Sequence, residues 1–193
     1  MNHSSAASVL AALLCLSAPL RGGLIDPLDD TSNFNAGFNG TTATANGDGT
    51  VTLTRTLASE DAGIDWLIAG TTPIPLGERA DRVELFPVGP VNGGFYNVTI
   101  QFFDGGGSFV GEANWIADTQ STATQVLPSV PAFAAANGIS GPESYQLRFR
   151  IQPFNQANAA FQFDQINAVP EPLGILGLGA ALALMGTRRR PKT

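Results

Sequence analysis

Between Leu24 and Ala168 the side chains able to do chemistry are carboxylates, arginines, hydroxyls, amides and two tryptophans. The single histidine, His3, and the single cysteine, Cys15, both precede Leu24. Without imidazole or thiol, this stretch cannot build a Ser-His-Asp or Cys-His catalytic set, nor hold zinc through His or Cys. It cannot form a disulfide either. The most suggestive spacing is Asn97, Thr99 and Gln101 alternating with Val98, Ile100 and Phe102. On a strand that period of two puts three polar groups on one sheet face. Arg148 and Arg150 alternate with Leu147, Phe149 and Ile151 in the same way.

Planar amides and guanidinium groups make paired hydrogen bonds, and aromatic faces offer flat apolar platforms, the two contacts a sugar ring takes. Trp66, Tyr96 and Trp115 are the aromatic candidates. Trp115 stands out because it follows Glu112 and Asn114 on a strand leaving a hairpin. If the strands carrying Asn97 and Gln101 and those carrying Arg148 and Arg150 are neighbours, they form a groove for a polysaccharide, especially an acidic one. The same residues also fit core aromatics beside a solvated sheet face.

Fifteen of the sixteen acidic residues and five of the ten basic residues (Arg55, Arg79, Arg82, Arg148 and Arg150) fall within 24–168, a net charge of −10. Such a surface repels phosphate backbones, which argues against nucleic acid as a partner. A glycosidase needs two carboxylates about 5 to 9 Å apart. Glu84, Glu112 and Asp164 are available, but nothing in their spacing singles out a pair, so no enzyme is expected. Calcium, which takes oxygen ligands, is the metal this composition permits.

The elements that must position these groups read as strands. Thr50–Leu57 alternates strictly, with Val51 and Leu53 on one face, behind a Gly47-Asp48-Gly49 turn. Further strands are expected over Ile64–Ala69, Arg82–Val88, Phe95–Phe103, Ser108–Ile116, Ala123–Leu127, Tyr145–Gln152 and Ala160–Val169. Asp104-Gly105-Gly106-Gly107 joins two of them as a hairpin. Pro131–Asn137 is the one helix expected, with Pro at its start and Gly138 just past its end. No repeat and no long helical period is present. About 145 residues of short strands between Gly, Pro and Asn clusters predict an all-β fold, a single β-sandwich or jelly roll over 24–168.

Both ends read as addresses. Residues 1–23 contain an apolar stretch, Ala6–Leu20, of the length of a signal-peptide core, although its n-region has only the terminal amine and His3. At the other end, Val169-Pro170-Glu171-Pro172 precedes an uncharged run, Leu173–Thr187, and then Arg188-Arg189-Arg190. Prolines end the fold, and an apolar run can cross hydrocarbon only as a helix. Four glycines in that run would weaken a soluble helix but suit a membrane one. This order of parts resembles the PEP-CTERM sorting signal of bacterial exosortase substrates. The resemblance covers residues 169–193 and implies exosortase and the export machinery as partners. It also implies a transient transmembrane helix over 173–187 and release to the cell surface or the extracellular matrix.

A second resemblance lies in the domain. Tyr145-Gln146-Leu147-Arg148-Phe149-Arg150, a hairpin, then Phe161-Gln162-Phe163-Asp164-Gln165-Ile166 is similar to the closing pair of galactose-binding-like, carbohydrate-binding jelly rolls. Ile25-Asp26-Pro27-Leu28-Asp29-Asp30 matches their opening strand. The likeness implies glycan binding through Trp115, Tyr96, Asn97, Gln101, Arg148 and Arg150. It also implies a structural calcium tying the opening strand to the closing one through Asp29, Asp30 and Asp164. A purely structural or adhesive matrix protein is the alternative. Deleting residues 169–193 is expected to leave a folded domain that is mislocalised or released to the medium. Loss of folding, followed by circular dichroism, would place that tail in the core instead.

Overall fold

A computed structural model describes residues 23–56, 62–77, 81–153 and 158–169. The expected segments 1–22 and 170–193, including Pro170, Glu171, Pro172 and Arg188 to Arg190, lie outside these. The strands are β1 (Leu24–Asp26), β2 (Thr41–Ala45), β3 (Val51–Arg55), β4 (Ile64–Trp66), β5 (Ile74–Pro75), β6 (Arg82–Pro90), β7 (Gly94–Phe103), β8 (Phe109–Thr119), β9 (Gln125–Leu127), β10 (Ser144–Pro153) and β11 (Ala159–Val169). Among the described residues one helix, α1 (Val130–Ala136), precedes β10.

All pairings between these strands are antiparallel, and they form two sheets. The first runs β2-β3-β11-β6-β9, with β1 added to β11 beside β3. The second runs β4-β10-β7-β8, with β5 added to β10. Alternation decides which face each strand buries. Val51 and Leu53 point inward from β3, and Val83 and Leu85 from β6. Val98, Ile100 and Phe102 meet them from β7, and Leu147, Phe149 and Ile151 from β10. On β11 the inward residues are Phe161 and Phe163, then Ile166 and Ala168. That change from odd to even positions coincides with a register shift between Phe163 and Gln165. A bulge there inserts one residue and returns the apolar set to the core.

The expected strands are present with boundaries moved by at most three residues, and α1 sits where its proline and glycine signals put it. Ser129 caps it by accepting from the Ala132 backbone N–H at 3.3 Å, and Gly138 leaves it at φ +73°. Two expectations change. Thr41–Ala45, unassigned from sequence, is β2. Its Thr-Ala alternation has too little apolar contrast to announce an edge strand. Tyr145–Arg150 and Phe161–Ile166 do not form a closing hairpin, because β10 and β11 lie in opposite sheets. Each has one apolar face, and they cover each other across the core, with the Phe149 and Phe163 rings 5.4 Å apart. Val169, which the sequence assigns both to the last expected strand and to the start of the tail, closes β11 opposite Arg82.

Two buried polar residues tie the sheets together. Asp26, at the end of β1, accepts from Trp66 Nε1 at 2.6 Å, Asn33 Nδ2 at 2.9 Å and the Leu28 backbone N–H at 3.0 Å. Arg55, at the end of β3, donates to the Ile151 carbonyl at 3.1 Å and to Gln152 Oε1 at 3.0 Å. Both are only 4% exposed, so these bonds are made away from competing water.

Asp26→Ala would strand three donors, two of them buried, and is expected to cost roughly 3 kcal/mol or more in urea unfolding. The chain's two tyrosines supply a second test. Burial raises the Tyr96 hydroxyl pKa to about 12. Burial, with the negative charge of Asp81 adding to it, raises that of Tyr145 further. Because the folded pKa values exceed the unfolded value of 10.0, this contribution is complete below pH 10 and is lost as pH rises through about 12. Ultraviolet titration should show no phenolate near pH 10, and the melting temperature should fall between pH 10 and about 12.

Candidate functional site

The inner face of the second sheet is apolar, so period two sends the intervening residues of β4, β10, β7 and β8 to its outer face. There the register assembles three polar rungs. Gln146 lies opposite Gln101, and Gln101 opposite Glu112. Arg148 lies opposite both Asp65 and Thr99, and Thr99 opposite Asn114. Arg150 lies opposite Asn97, which reaches Asp118.

The rungs are joined by side-chain hydrogen bonds. Gln146 Nε2 donates to Gln101 Oε1, and Gln101 Nε2 to Glu112 Oε2, each at 2.8 Å. Thr99 Oγ1 donates to Asn114 Oδ1 at 2.7 Å, and Asn97 Nδ2 to Asp118 Oδ1 at 2.8 Å. Arg148 grips Asp65 with two bonds, Nε to Oδ1 at 2.7 Å and Nη2 to Oδ2 at 2.9 Å. Asn35 Nδ2 adds a third bond to Asp65, at 3.1 Å. The Arg148 guanidinium also sits 4.9 Å from the centre of the Phe38 ring. Phe38 arrives from the 33–40 loop, which bridges to Gly63 at the margin of β4. Thr99, Gln101 and Gln146 are buried within this layer, so the groups it offers to solvent are mainly Glu112, Asn114 and Asp118 on β8, held in fixed directions by the bonds behind them.

Of the residues selected from sequence, Asn97, Gln101, Arg148 and Arg150 therefore share one face. The aromatics do not. Tyr96 is fully buried, its ring 4.5 Å from Phe161 and 5.2 Å from Phe163. It shares the inward side of β7 with Val98 and Ile100, so it cannot present a ring to a groove. Trp66 is fully buried as well and bonded to Asp26. Trp115 is the extra residue of a β8 bulge, between Asn114 opposite Thr99 and Ile116 opposite Val98. Its ring is half-buried against the core. Sequence reasoning missed Asp65, Asn35 and Phe38. Asp65 was legible, since an acid between Ile64 and Trp66 must point away from the side they bury. Phe38 carried no such signal.

Asp29, Asp30 and Asp164 are all exposed. The Ser32 hydroxyl and backbone N–H hold the Asp30 carboxyl below its ordinary pKa. Among the described residues, no group of three acidic, His or Cys side chains is placed to hold a metal ion. Glu84, on the outer face of the first sheet, pairs with Arg82 at 2.6 Å, whereas Glu112 lies on the outer face of the second. The sandwich separates them. A cleft of about 770 Å³ opens elsewhere, between the C-terminal turn of α1 and the turn after β5. Leu76, Pro131, Ala135 and Ile139 line it with Asp81 and Glu143, and it contains none of the residues selected from sequence.

No family model matches this chain, and no curated protein sequence matches it. Among solved structures, it is similar to the enzymatically active domain of tailspike protein 4 from bacteriophage CBA120, at a TM-score of 0.42 and 15% identity. That match covers 75% of this chain and 20% of the tailspike chain. It is also similar to the CBM22-1 xylan-binding domain of Paenibacillus barcinonensis Xyn10C, at a TM-score of 0.43 and 12% identity, covering 77% of this chain and 94% of that one. A second CBM 22 xylan-binding domain gives a TM-score of 0.41 at 11% identity, covering 78% and 96%. At scores this low, the side chains of this protein have to carry the functional reading.

Proposed function

We propose that this chain is an exported, non-catalytic β-sandwich of the galactose-binding-like kind whose second sheet holds polysaccharide on its outer face. One observation carries the reading: three rungs of amide, hydroxyl, carboxylate and guanidinium groups, fixed by their own hydrogen bonds, span four adjacent strands. Phe38 stands at one margin, under the Arg148 guanidinium. The two ends supply the address. The apolar leader and the PEP-CTERM-like tail support export, temporary anchoring through residues 173–187, exosortase processing and a final place at the cell surface or in the surrounding matrix.

The same rungs favour a second reading, because side chains already bonded to one another can stabilise a sheet without any ligand. That would make the protein a structural or adhesive matrix component. Affinity electrophoresis of the full-length chain separates the two. Retardation by at least one polysaccharide is expected, weakened about tenfold by Asn114→Ala, as loss of one well-placed polar contact implies. An unchanged melting temperature would show that the fold is intact. A wild-type chain retarded by no polysaccharide would leave the structural reading.

A further inference from the structure

Resting on that reading, we infer that the face takes an uncharged, hydroxyl-rich glycan and rejects uronate or sulfated polymers. From sequence alone, Arg148 and Arg150 suggest the opposite preference. The geometry removes Arg148 from that account. Its guanidinium is committed to Asp65 through two bonds at 2.7 and 2.9 Å and is stacked on Phe38. Asp65 is buried, so the pair presents no net charge to a ligand. What remains is Arg150, half-buried, against the exposed carboxylates Glu112 and Asp118. The face is then net negative by one charge, on a domain at −10. A polyanion would meet repulsion both locally and from the domain as a whole.

Hydrogen-bond polarity points the same way. Glu112 and Asp118 have spoken for one oxygen each, to Gln101 and Asn97. Ionised carboxylates only accept, so their remaining lone pairs ask for donors. Gln101 and Gln146 have each used an amide N–H within the rung and are buried, so the acceptors left to a ligand are the exposed carboxylates of β8. A sugar hydroxyl can donate to such a surface. A carboxylate or sulfate cannot, because it brings acceptors only. Asn114, whose Oδ1 is occupied by Thr99, keeps its amide N–H groups for the acceptor side of the same hydroxyls.

The test uses the full-length chain and two soluble polymers, a linear uncharged β-glucan and polygalacturonate, at low and moderate salt. The glucan is expected to bind at least about tenfold more tightly, with an affinity that salt leaves within about twofold. Glu112→Gln combined with Asp118→Asn should raise polygalacturonate binding, and salt should suppress that gain. Tighter wild-type binding to polygalacturonate, weakening as salt rises, would overturn the inference while leaving glycan binding in place. Retention by neither polymer, nor by a mannan control, would overturn the glycan reading and this inference with it.

Discussion

A buried carboxylate organises this sandwich. Asp26 belongs to β1, which is hydrogen-bonded into the first sheet, yet its side chain is taken up by the indole of Trp66 in the second. A carboxylate removed from water is costly unless its lone pairs are met, and here three N–H groups meet them. The bond also sets a position outside the core. Trp66 and Asp65 are neighbours on β4, so holding one inward holds the other outward, where it meets Arg148. The 33–38 segment serves both sides of that strand. Asn33 donates to Asp26 within, Asn35 donates to Asp65 without, and Phe38 lies under the guanidinium. The polar face is therefore a consequence of how the core is tied.

Much of the fold was legible because period-two patterning is unambiguous when apolar and polar residues alternate, as in Val51–Leu53 and Leu147–Ile151. The same rule put Asn97 and Gln101 on one strand's polar face and Arg148 and Arg150 on another's, and the pairing of β7 with β10 makes the two faces one. It failed where the chain departs from strict alternation. At Trp115 and at Asp164 a bulge adds a residue, and neither leaves a trace in residue types. Pairing was less legible still. Which strand lies beside which depends on contacts between residues about a hundred positions apart, and short strands of similar composition do not encode their partners. The Asp65–Arg148 pair spans 83 positions, so the charge character of the face was hidden from a reading that saw the arginines alone.

Bulges here act on direction. On β11 the shift after Phe163 exchanges the odd register for the even one and keeps Ile166 and Ala168 in the core. On β8 the extra residue turns Trp115 toward the core edge while Asn114 stays on the polar face. In both strands a single inserted residue lets one element serve two demands that simple alternation could not satisfy together.

The position of β11 has a consequence for assembly. This last strand lies in the middle of the first sheet, with β6 along one side and β3 followed by β1 along the other. A nascent chain delivered from its amino end therefore has β1, β3 and β6 in hand with no template to join them. Sheet closure waits for residues 159–169, and the loop-closure entropy of that step is large. The first sheet gains its central strand, and with it a closed core, after every other strand described has been made.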